Sequence, residues 1–395
     1  MSIPKNLLNL NITTLTLSHF LWGFVNFIYI IQIQPHLLSI YGTSPETAQI
    51  LGLLLSIGNL SAVIPLLMGF FADAYGRKNL IIFGEILCIL GLFGLSFGGT
   101  DIILLLPSII LFNLGLGFYD PPLQGLIYES TEKRGLAFSL IYNSSYVAGI
   151  IASFLIQLEG NTNLTRYFQI GFILVIIGLI VNILMLRDFF PNTEKVDFPI
   201  LKILREPHSR LIAFTFALDA FLWGLPLAIA NGIYIILFQV DVSFIATLTL
   251  VQTFVLVILQ YPAGWIVDRF GRIIGLIMGE LLGFVWIFFV LVAIETPHMA
   301  TELLIIAYAF LGAVVSFWRP SVTLSFISID PSAASTNFGI LSFFQRLGRV
   351  PTAVVGGFLF PYIGFSPLLL ITFFGTLIII GLFYKIVKLE ANIKT

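Results

Sequence analysis

The feature that most constrains this chain is a series of apolar segments, each long enough to cross a lipid bilayer. A membrane-spanning helix needs about 20 mostly apolar residues. Twelve segments meet this requirement, and a polar, charged stretch at 188–209 separates the sixth from the seventh. The segments are 12–34, 47–72, 79–98, 102–127, 136–158, 166–187, 210–238, 244–267, 273–294, 301–327, 335–360 and 366–386. We therefore predict an all-α membrane protein with twelve transmembrane helices.

Composition supports a lipid environment and argues against several classes of protein. Hydrophobic residues make up 58% of the 395 residues and charged residues only 10%, whereas a soluble domain carries roughly 25% charged residues. The net charge of -1 gives no basic surface for nucleic acid. The single cysteine, Cys88, cannot form an internal disulfide. No phosphate-binding glycine loop, metal-ligand cluster or nucleophile–base pair is evident, so we predict no cofactor, no metal and no enzymatic activity.

The distribution of lysine and arginine predicts how the chain is oriented. Cytoplasmic loops carry an excess of these residues. If the N-terminus is cytoplasmic, the opposite side holds only Arg166. The cytoplasmic side then holds Lys5, Arg77, Lys78, Lys133, Arg134, Arg187, Lys195, Lys202, Arg205, Arg210, Arg269, Arg272, Lys385, Lys388 and Lys394. An even number of spans returns the C-terminus to the cytoplasm, so we expect a multi-pass cell-membrane protein with both termini cytoplasmic.

Short sequences recur in the same order at an offset of about 200 residues, which indicates a duplication of six helices. The matching stretches are 20–23 with 221–224, 69–77 with 264–272, 84–85 with 279–280 and 118–121 with 317–320. We predict two pseudo-symmetric six-helix bundles, at 1–187 and 210–395, joined by a cytoplasmic linker at 188–209. Parallel halves of this kind suit alternating access, with a substrate site between them near the midplane.

The repeated loop carries a resemblance to a known family. It reads Gly69-Phe-Phe-Ala-Asp73-Ala-Tyr-Gly76-Arg77-Lys78 in the first half and Gly264-Trp-Ile-Val-Asp268-Arg-Phe-Gly271-Arg272 in the second. With twelve spans, this loop resembles the major facilitator superfamily over essentially the whole chain. The copies depart from the family pattern at Ala74 and Ile273, where a basic residue is usual. The resemblance implies a monomeric transporter of a small solute, with helices 1, 4, 7 and 10 around a central cavity.

The loop residues also have a physical interpretation. Glycines allow close helix approach and tight turns, the acids can accept hydrogen bonds at a helix start, and the arginines can pair with acids on neighbouring helices. The resemblance implies a conformational latch for the outward-facing state; the alternative is that these residues only anchor the cytoplasmic side. The latch residues would be Gly69, Asp73, Gly76, Arg77 and Glu129 in the first half, and Gly264, Asp268, Gly271, Arg272 and Asp330 in the second.

Charged residues inside the spans need a reason, because each costs a few kcal/mol at the bilayer centre. They are Glu85, Asp120, Asp219, Glu280, Arg319, Arg346 and Arg349. Counted from the cytoplasmic helix ends, Asp120, Asp219, Arg319 and Arg346 lie roughly 11–17 Å deep. In the resembled fold this predicts a charge network across the cavity, which Arg349 could extend. The alternatives are a packing ion pair for Asp219, a structural role for Asp120 before Pro121-Pro122, and, for Glu85 and Glu280 on peripheral helices, packing or a pair with a neighbouring helix.

Polar and aromatic side chains form helical stripes beside these charges. A polar stripe in lipid must face protein or water, and aromatic rings near charges favour an amphipathic or aromatic ligand. The stripes contain His19, Trp22, Asn26 and Tyr29 in helix 1, Tyr142 and Tyr146 in helix 5, and Trp223 beside Asp219 in helix 7. For His19, a hydrogen-bonded core residue is the alternative to a proton carrier.

We therefore predict secondary active transport of a small amphipathic solute, with proton-coupled export as the first interpretation. In this hypothesis a proton binds Asp219 or Asp120 and breaks its pairing with Arg319 or Arg346. The alternatives are transport of an organic anion, favoured by the three intramembrane arginines, transport of a lipid, and uptake or facilitated diffusion. A membrane sensor that kept the fold and lost transport belongs to another class. The expected partners are the solute, membrane lipid and protons.

Overall fold

The computed structural model describes residues 5–59, 64–98, 101–131, 134–160, 164–188, 207–327 and 334–394. Within these ranges the regular secondary structure is helical, and one short 3-10 helix spans Pro297–Met299. The helices are α1 (Lys5–Tyr41), α2 (Thr47–Asn59), α3 (Ile64–Tyr75), α4 (Lys78–Phe97), α5 (Ile102–Ser130), α6 (Arg134–Glu159), α7 (Leu164–Met185), α8 (Pro207–Leu227), α9 (Ala230–Phe238), α10 (Val242–Phe270), α11 (Arg272–Glu295), α12 (Ala300–Ile327), α13 (Ala334–Arg349), α14 (Thr352–Ile363) and α15 (Phe365–Lys394). The prediction of an all-helical membrane protein is confirmed.

Ten helical segments in the described part of the chain are long and apolar enough to cross a membrane. The predicted span 335–360 is divided into two shorter helices, α13 and α14. The division lies at Pro351, the N-cap of α14, because proline has no amide hydrogen with which to continue a helix. The predicted span 47–72 contains α2 and α3, and residues 60–63 between them lie outside the described residues. The count of twelve spans therefore stays a prediction.

Polar residues at the connections fix where several helices begin. The carboxylate of Asp101 accepts the amide of Ile103 at 2.9 Å and begins α5. The carboxylate of Asp241 accepts the amide of Phe244 at 2.9 Å and begins α10. Aspartate is a preferred N-cap because its side chain satisfies a helix-start amide that has no partner within the helix.

The outward faces of the helices are apolar, and several ionisable side chains are turned inward. Ile103 is 75% exposed and Phe374 is 62% exposed. Asp219 and Glu280 are only 2% and 1% exposed. This distribution is the reverse of a soluble protein's surface and suits a chain whose outer surface meets lipid.

Corresponding helices pack in the same pairs in both halves of the chain. In the N-terminal half α4 packs on α5 and α7, and α1 packs on α6 and α7. In the C-terminal half α11 packs on α12 and α15, and α8 packs on α13 and α15. This correspondence follows the order of the sequence repeat. The halves contact each other through α3 with α13, α2 with α14, and α6 with α10.

Candidate functional site

The first copy of the repeated loop forms a buried cluster of charges around Arg77. Arg77 is 4% exposed, and its Nη2 donates to Asp73 Oδ1 at 2.6 Å and to Glu129 Oε1 at 2.8 Å. Its Nη1 pairs with the other oxygen of Glu129. One guanidinium therefore binds α3, which carries Asp73, to the end of α5, which carries Glu129. Pairs of this geometry are the strong class of charge-assisted hydrogen bond.

The same cluster joins the two halves of the chain, because Asp73 caps the first turn of α13. Its carboxylate accepts the amide of Ser335 at 3.3 Å and the amide and hydroxyl of Thr336 at 2.8 and 2.7 Å. Arg77 Nε donates to Ser335 Oγ at 2.7 Å. The first amides of a helix have no partner within it and favour a negative charge. We call this end of the molecule the Arg77 side.

Two glycines make this arrangement possible. Gly76 has φ +102°, and a side chain there would come within 2.5 Å of the Asp188 carboxylate. That carboxylate accepts the amides of Arg77 and Lys78, both at 3.1 Å, where α4 begins. At Gly69 a β-carbon would lie 3.1 Å from the Cα of Thr336. A larger residue at Gly69 would therefore push α3 away from α13.

The second copy of the loop is arranged differently. A β-carbon at Gly264 would meet none of the described residues within 4 Å, so among them our expectation that Gly264 permits a close helix approach is wrong in this conformation. The reason is that this end of α10 is open to its surroundings, with Tyr261 85% exposed and Asp268 also exposed. Gly271 has φ +97° and ends α10. Arg272 Nη1 donates to the carbonyl of Ser325 at 3.4 Å, and Asp330 lies outside the described residues.

The opposite end of the molecule is closed by Gln34. Its amide nitrogen donates to the carbonyl of Ala228 at 3.0 Å, and its amide oxygen accepts the amide of Gly232 at 2.7 Å. These two backbone groups lie on either side of the break between α8 and α9, so one side chain from α1 satisfies both. Ser243 Oγ donates to the carbonyl of Gln157 at 2.9 Å, which joins α10 to α6. We call this end the Gln34 side. Contacts between the halves are present at both ends, and we call these two ends the closed sides.

Between the two closed sides, Arg319 of α12 crosses to two tyrosines of α6. Its guanidinium carbon lies 4.4 Å from the ring centroid of Tyr142 and 5.4 Å from that of Tyr146. Its Nη1 also donates to the hydroxyl of Tyr146. Tyr142 and Tyr146 are four residues apart and share one helix face. A cation over two rings can bind an aromatic or acidic solute through charge and stacking.

A second charged contact joins the halves at Asp120 of α5. Arg346 Nη2 of α13 lies 3.8 Å from Asp120 Oδ2, and the two side chains are 17% and 35% exposed. The neighbouring Tyr119 and Pro121 are buried, whereas Asp120 is partly exposed. A partly exposed charge in the middle of a long apolar helix indicates a position between helices and not a lipid-facing one.

Aromatic side chains of the N-terminal half form a connected group that includes Tyr142, the ring beneath Arg319. His19 contacts Tyr142 edge-on with centroids 5.5 Å apart, and it stacks with Tyr119 at 6.3 Å. Trp22 lies 5.1 Å from Tyr119. Tyr29 accepts a hydrogen bond from Asn113 at 3.3 Å. With the half-buried Asn26, this stripe of α1 packs against α5 and α6 within the N-terminal half.

The structure separates Asp219 from the other predicted site charges. Asp219 accepts the indole N–H of Trp318 at 3.3 Å, whereas Arg319 and Arg346 contact Tyr146 and Asp120. Trp223, one turn from Asp219, donates to Glu280 at 2.8 Å. Arg349 lies near enough to act electrostatically on Asp219. Glu280 of α11 therefore contacts the predicted site residue Trp223 of α8. The corresponding residue of the N-terminal half, Glu85, accepts a hydrogen bond from Asn182 at 2.7 Å.

Sequence reasoning missed several residues that make these contacts. Ser335 and Thr336 are of the types that begin helices, so the helix start was visible, but its partner Asp73 lies far away in the chain. Asp188 follows the sixth predicted span and belongs to none of the motifs found in the sequence. Gln34 is the last residue of the first predicted span and lies off the stripe that contains His19 and Tyr29, and only the structure reveals that it faces the break between α8 and α9.

Comparison with known proteins agrees with this architecture. Residues 15–209 match the family model of the Major Facilitator Superfamily. By structure, the chain is similar to a peptide transporter, POT, with 14% identity, coverage of 98% of this chain and 99% of that one, and a TM-score of 0.74. It is similar to the nucleoside transporter NupG, with 14% identity, 95% and 99% coverage and a TM-score of 0.72.

A third similar structure is the human organic anion transporter MFSD10 (TETRAN), with 14% identity, 97% and 100% coverage and a TM-score of 0.73. No curated protein matches the chain by sequence. At these identities the structural likeness establishes a shared fold.

Proposed function

We propose that this chain, which belongs to the Major Facilitator Superfamily, is a secondary transporter that moves a small amphipathic solute across the cell membrane by alternating access. The observation that carries the proposal is the contact of Arg319 with Tyr142 and Tyr146 between two closed sides. A site of this kind lies where two halves meet, so a rocking motion of the halves would expose it to one side at a time.

The proposal includes twelve spans in two six-helix bundles, 1–187 and 210–395, joined by the linker 188–209. Each divided helix pair, α2 with α3 and α13 with α14, would complete one span. The matching helix pairs in the two halves support this arrangement. The excess of lysine and arginine in alternate loops supports cytoplasmic termini and places the Arg77 side in the cytoplasm. We propose a monomer, as the family resemblance implies.

In this proposal the described conformation is occluded, and each closed side is one latch of the cycle. Opening the Arg77 side requires loss of the contacts from Asp73 to Ser335 and Thr336. Opening the Gln34 side requires loss of the contacts from Gln34 to Ala228 and Gly232. A solute that binds one state more tightly than the other would shift the populations of the two states.

The chemistry of the site favours a solute with an aromatic or apolar body and an acidic group. Arg319 would bind the acidic group, while Tyr142 and Tyr146 would stack on the body. An organic anion is the second candidate, because Arg346 and Arg349 extend the positive charge along α13. Proteins of the same fold carry peptides, nucleosides and organic anions according to their names.

For energy coupling we propose protons and net export, with Asp120 as the coupling group in the cavity. A proton on Asp120 would cancel its attraction to Arg346, the contact that joins α5 to α13. The loosened pair would then alter both solute affinity and the balance between the two sides. Uptake or facilitated diffusion would use the same site without this step.

The test uses purified protein in proteoliposomes that contain a pH-sensitive dye and are given a pH gradient. Amphipathic acids, then simple organic anions, are added to wild type, to Asp120→Asn and to a control, Asp101→Asn. Asparagine is as good an N-cap as aspartate, so the control should fold and transport normally.

We expect solute-dependent proton movement in wild type and in the control, and its loss in Asp120→Asn. Solute flux without proton movement would overturn the coupling proposal and leave transport standing. Binding of a solute without any flux would overturn transport and favour the sensor alternative.

A further inference from the structure

Two carboxyl groups lie together deep inside the C-terminal half, away from the contacts of Arg319 and Asp120. Asp219 belongs to α8 and Glu280 to α11, and they are 2% and 1% exposed. Their side chains are within hydrogen-bonding distance of each other. The matching residue of the N-terminal half, Glu85, accepts a hydrogen bond from Asn182.

Two tryptophans hold the pair from opposite flanks. Trp318 of α12 donates its indole N–H to Asp219 Oδ2 at 3.3 Å, and Trp223 of α8 donates to Glu280 Oε2 at 2.8 Å. Each carboxyl therefore has one oxygen satisfied by a rigid donor. The other oxygen of Asp219, Oδ1, is buried and has no hydrogen-bond donor among the described residues.

Carboxylates only accept hydrogen bonds, so two ionised groups cannot bond to each other. Two adjacent negative charges without water are also strongly unfavourable, and carboxyl pairs in such sites share a proton. A single proton supplies the donor that Asp219 Oδ1 lacks. It also leaves only one negative charge on the pair.

We propose that Asp219 and Glu280 form a proton-binding site that holds one proton between α8 and α11. Glu280 carries the proton and donates it to Asp219. The remaining negative charge rests on Asp219, because Arg349 of α13 faces that residue.

The surroundings of the pair contain few other charges. From the elements packed against it, α13 presents Arg349, α12 presents the neutral Trp318, and α8 itself presents Trp223. Helix α15 packs on both α8 and α11, and within the described residues it adds no charged group that acts on either carboxyl. The proton is therefore the one mobile charge that this pocket can exchange.

This site is distinct from the coupling role proposed for Asp120, and it does not depend on the identity of the solute. Hydrogen bonds join α8, α11 and α12 at this site, and Arg349 of α13 acts on it electrostatically. Loss of the proton would set two negative charges side by side in the core. A second proton would neutralise Asp219 and abolish its attraction to Arg349. A change of pH would therefore alter the packing of helices in the C-terminal half.

The first test is infrared spectroscopy of the purified protein as a function of pH, since it needs no transport activity. We expect a protonated-carboxyl band at neutral pH that is lost in Glu280→Gln. In Asp219→Asn the band should change in frequency, because Glu280 keeps its proton and donates it to an amide oxygen. Glu85→Gln, at the matching position of the other half, and Asp120→Asn should leave that band in place. Absence of the band in wild type at neutral pH, or its unchanged persistence in Glu280→Gln, would overturn the proposal.

The second test measures thermal stability against pH, with Glu280→Gln as the matched variant. The amide of glutamine can donate to Asp219 Oδ1 as the protonated glutamate does, but it cannot lose its proton. We expect the melting temperature of wild type to fall at alkaline pH more than that of Glu280→Gln. Equal alkaline losses would contradict a shared proton, whatever the flux experiments give.

Discussion

At the scale of single residues, a few polar side chains from one half of the chain satisfy backbone groups of the other. Asp73 accepts amides at the start of α13, and Gln34 bridges the break between α8 and α9. These contacts are specific, because each satisfies buried backbone groups that would otherwise have no partner. They are also few, so a modest change in free energy is enough to release either side.

Removing the Asp73 carboxylate should loosen the first turn of α13. Loss of an N-cap costs about 0.5–2 kcal/mol, so we expect Asp73→Ala to speed amide hydrogen exchange at Ser335 and Thr336 by several-fold. The matched control is Asp268→Ala, because Asp268 occupies the same motif position in the second copy and is exposed. Equal exchange in wild type and Asp73→Ala would contradict the capping role.

Changing Arg319 to lysine should weaken solute binding while keeping the positive charge. Lysine lacks the planar guanidinium that lies over Tyr142 and Tyr146, and such exchanges are not conservative at stacked sites. We expect the dissociation constant of the best solute from the flux screen to rise about tenfold, a change of roughly 1.4 kcal/mol. Arg166→Lys, at an exposed position, should leave it unchanged. An unaltered constant in Arg319→Lys would place the solute elsewhere.

At the scale of elements, the apolar segments and the repeat were readable from the sequence because both depend on local composition. The predicted span 102–127 corresponds to α5 at Ile102–Ser130. The division of the span 335–360 into α13 and α14 was not predicted. The open end of α10 was missed for another reason, since the motif sequence is the same whether or not a neighbour approaches Gly264.

Helix α9 should depend on Gln34 for protection of its first turn. The amide of Gly232 donates to Gln34 at 2.7 Å, and leucine at position 34 would leave that amide without an acceptor. We expect Gln34→Leu to speed hydrogen exchange at Gly232 by several-fold, since a lost hydrogen bond is worth about 1 kcal/mol. Gln49→Leu, a similar change at the start of α2, should have no effect at Gly232. Unchanged hydrogen exchange at Gly232 in Gln34→Leu would show that Gln34 does not contribute to the closure of this side.

At the scale of the whole molecule, the sequence predicted where site residues lie along the chain better than which ones meet. Asp120, Arg319 and Arg346 were predicted together, and the structure brings Asp120 to Arg346 and Arg319 to Tyr146. Asp219 was expected to pair with Arg319 or Arg346 but lies against Glu280 and Trp318 instead. Depth can be counted from helix ends, whereas the rotation of a helix about its axis depends on packing that no single segment encodes.

The count of spans has a direct test in the second predicted span. If α2 and α3 together cross the membrane, Thr43 and Lys78 must lie on opposite sides. We expect an impermeant thiol reagent to label Thr43→Cys from outside intact cells and Lys78→Cys only after permeabilisation, in a Cys88→Ala background. Labelling of both residues from the same side would contradict a crossing at 47–75 and the twelve-span arrangement.

The central claim is that the two closed sides open in alternation, and distances between spin labels test it most directly. One label pair, Thr43→Cys with His298→Cys, reports the Gln34 side; the other, Lys78→Cys with Arg269→Cys, reports the Arg77 side. We predict that Gln34→Leu lengthens only the first distance and that Asp73→Ala lengthens only the second. Lengthening of both distances by either variant, or of neither distance by both variants, would contradict alternating access in this protein.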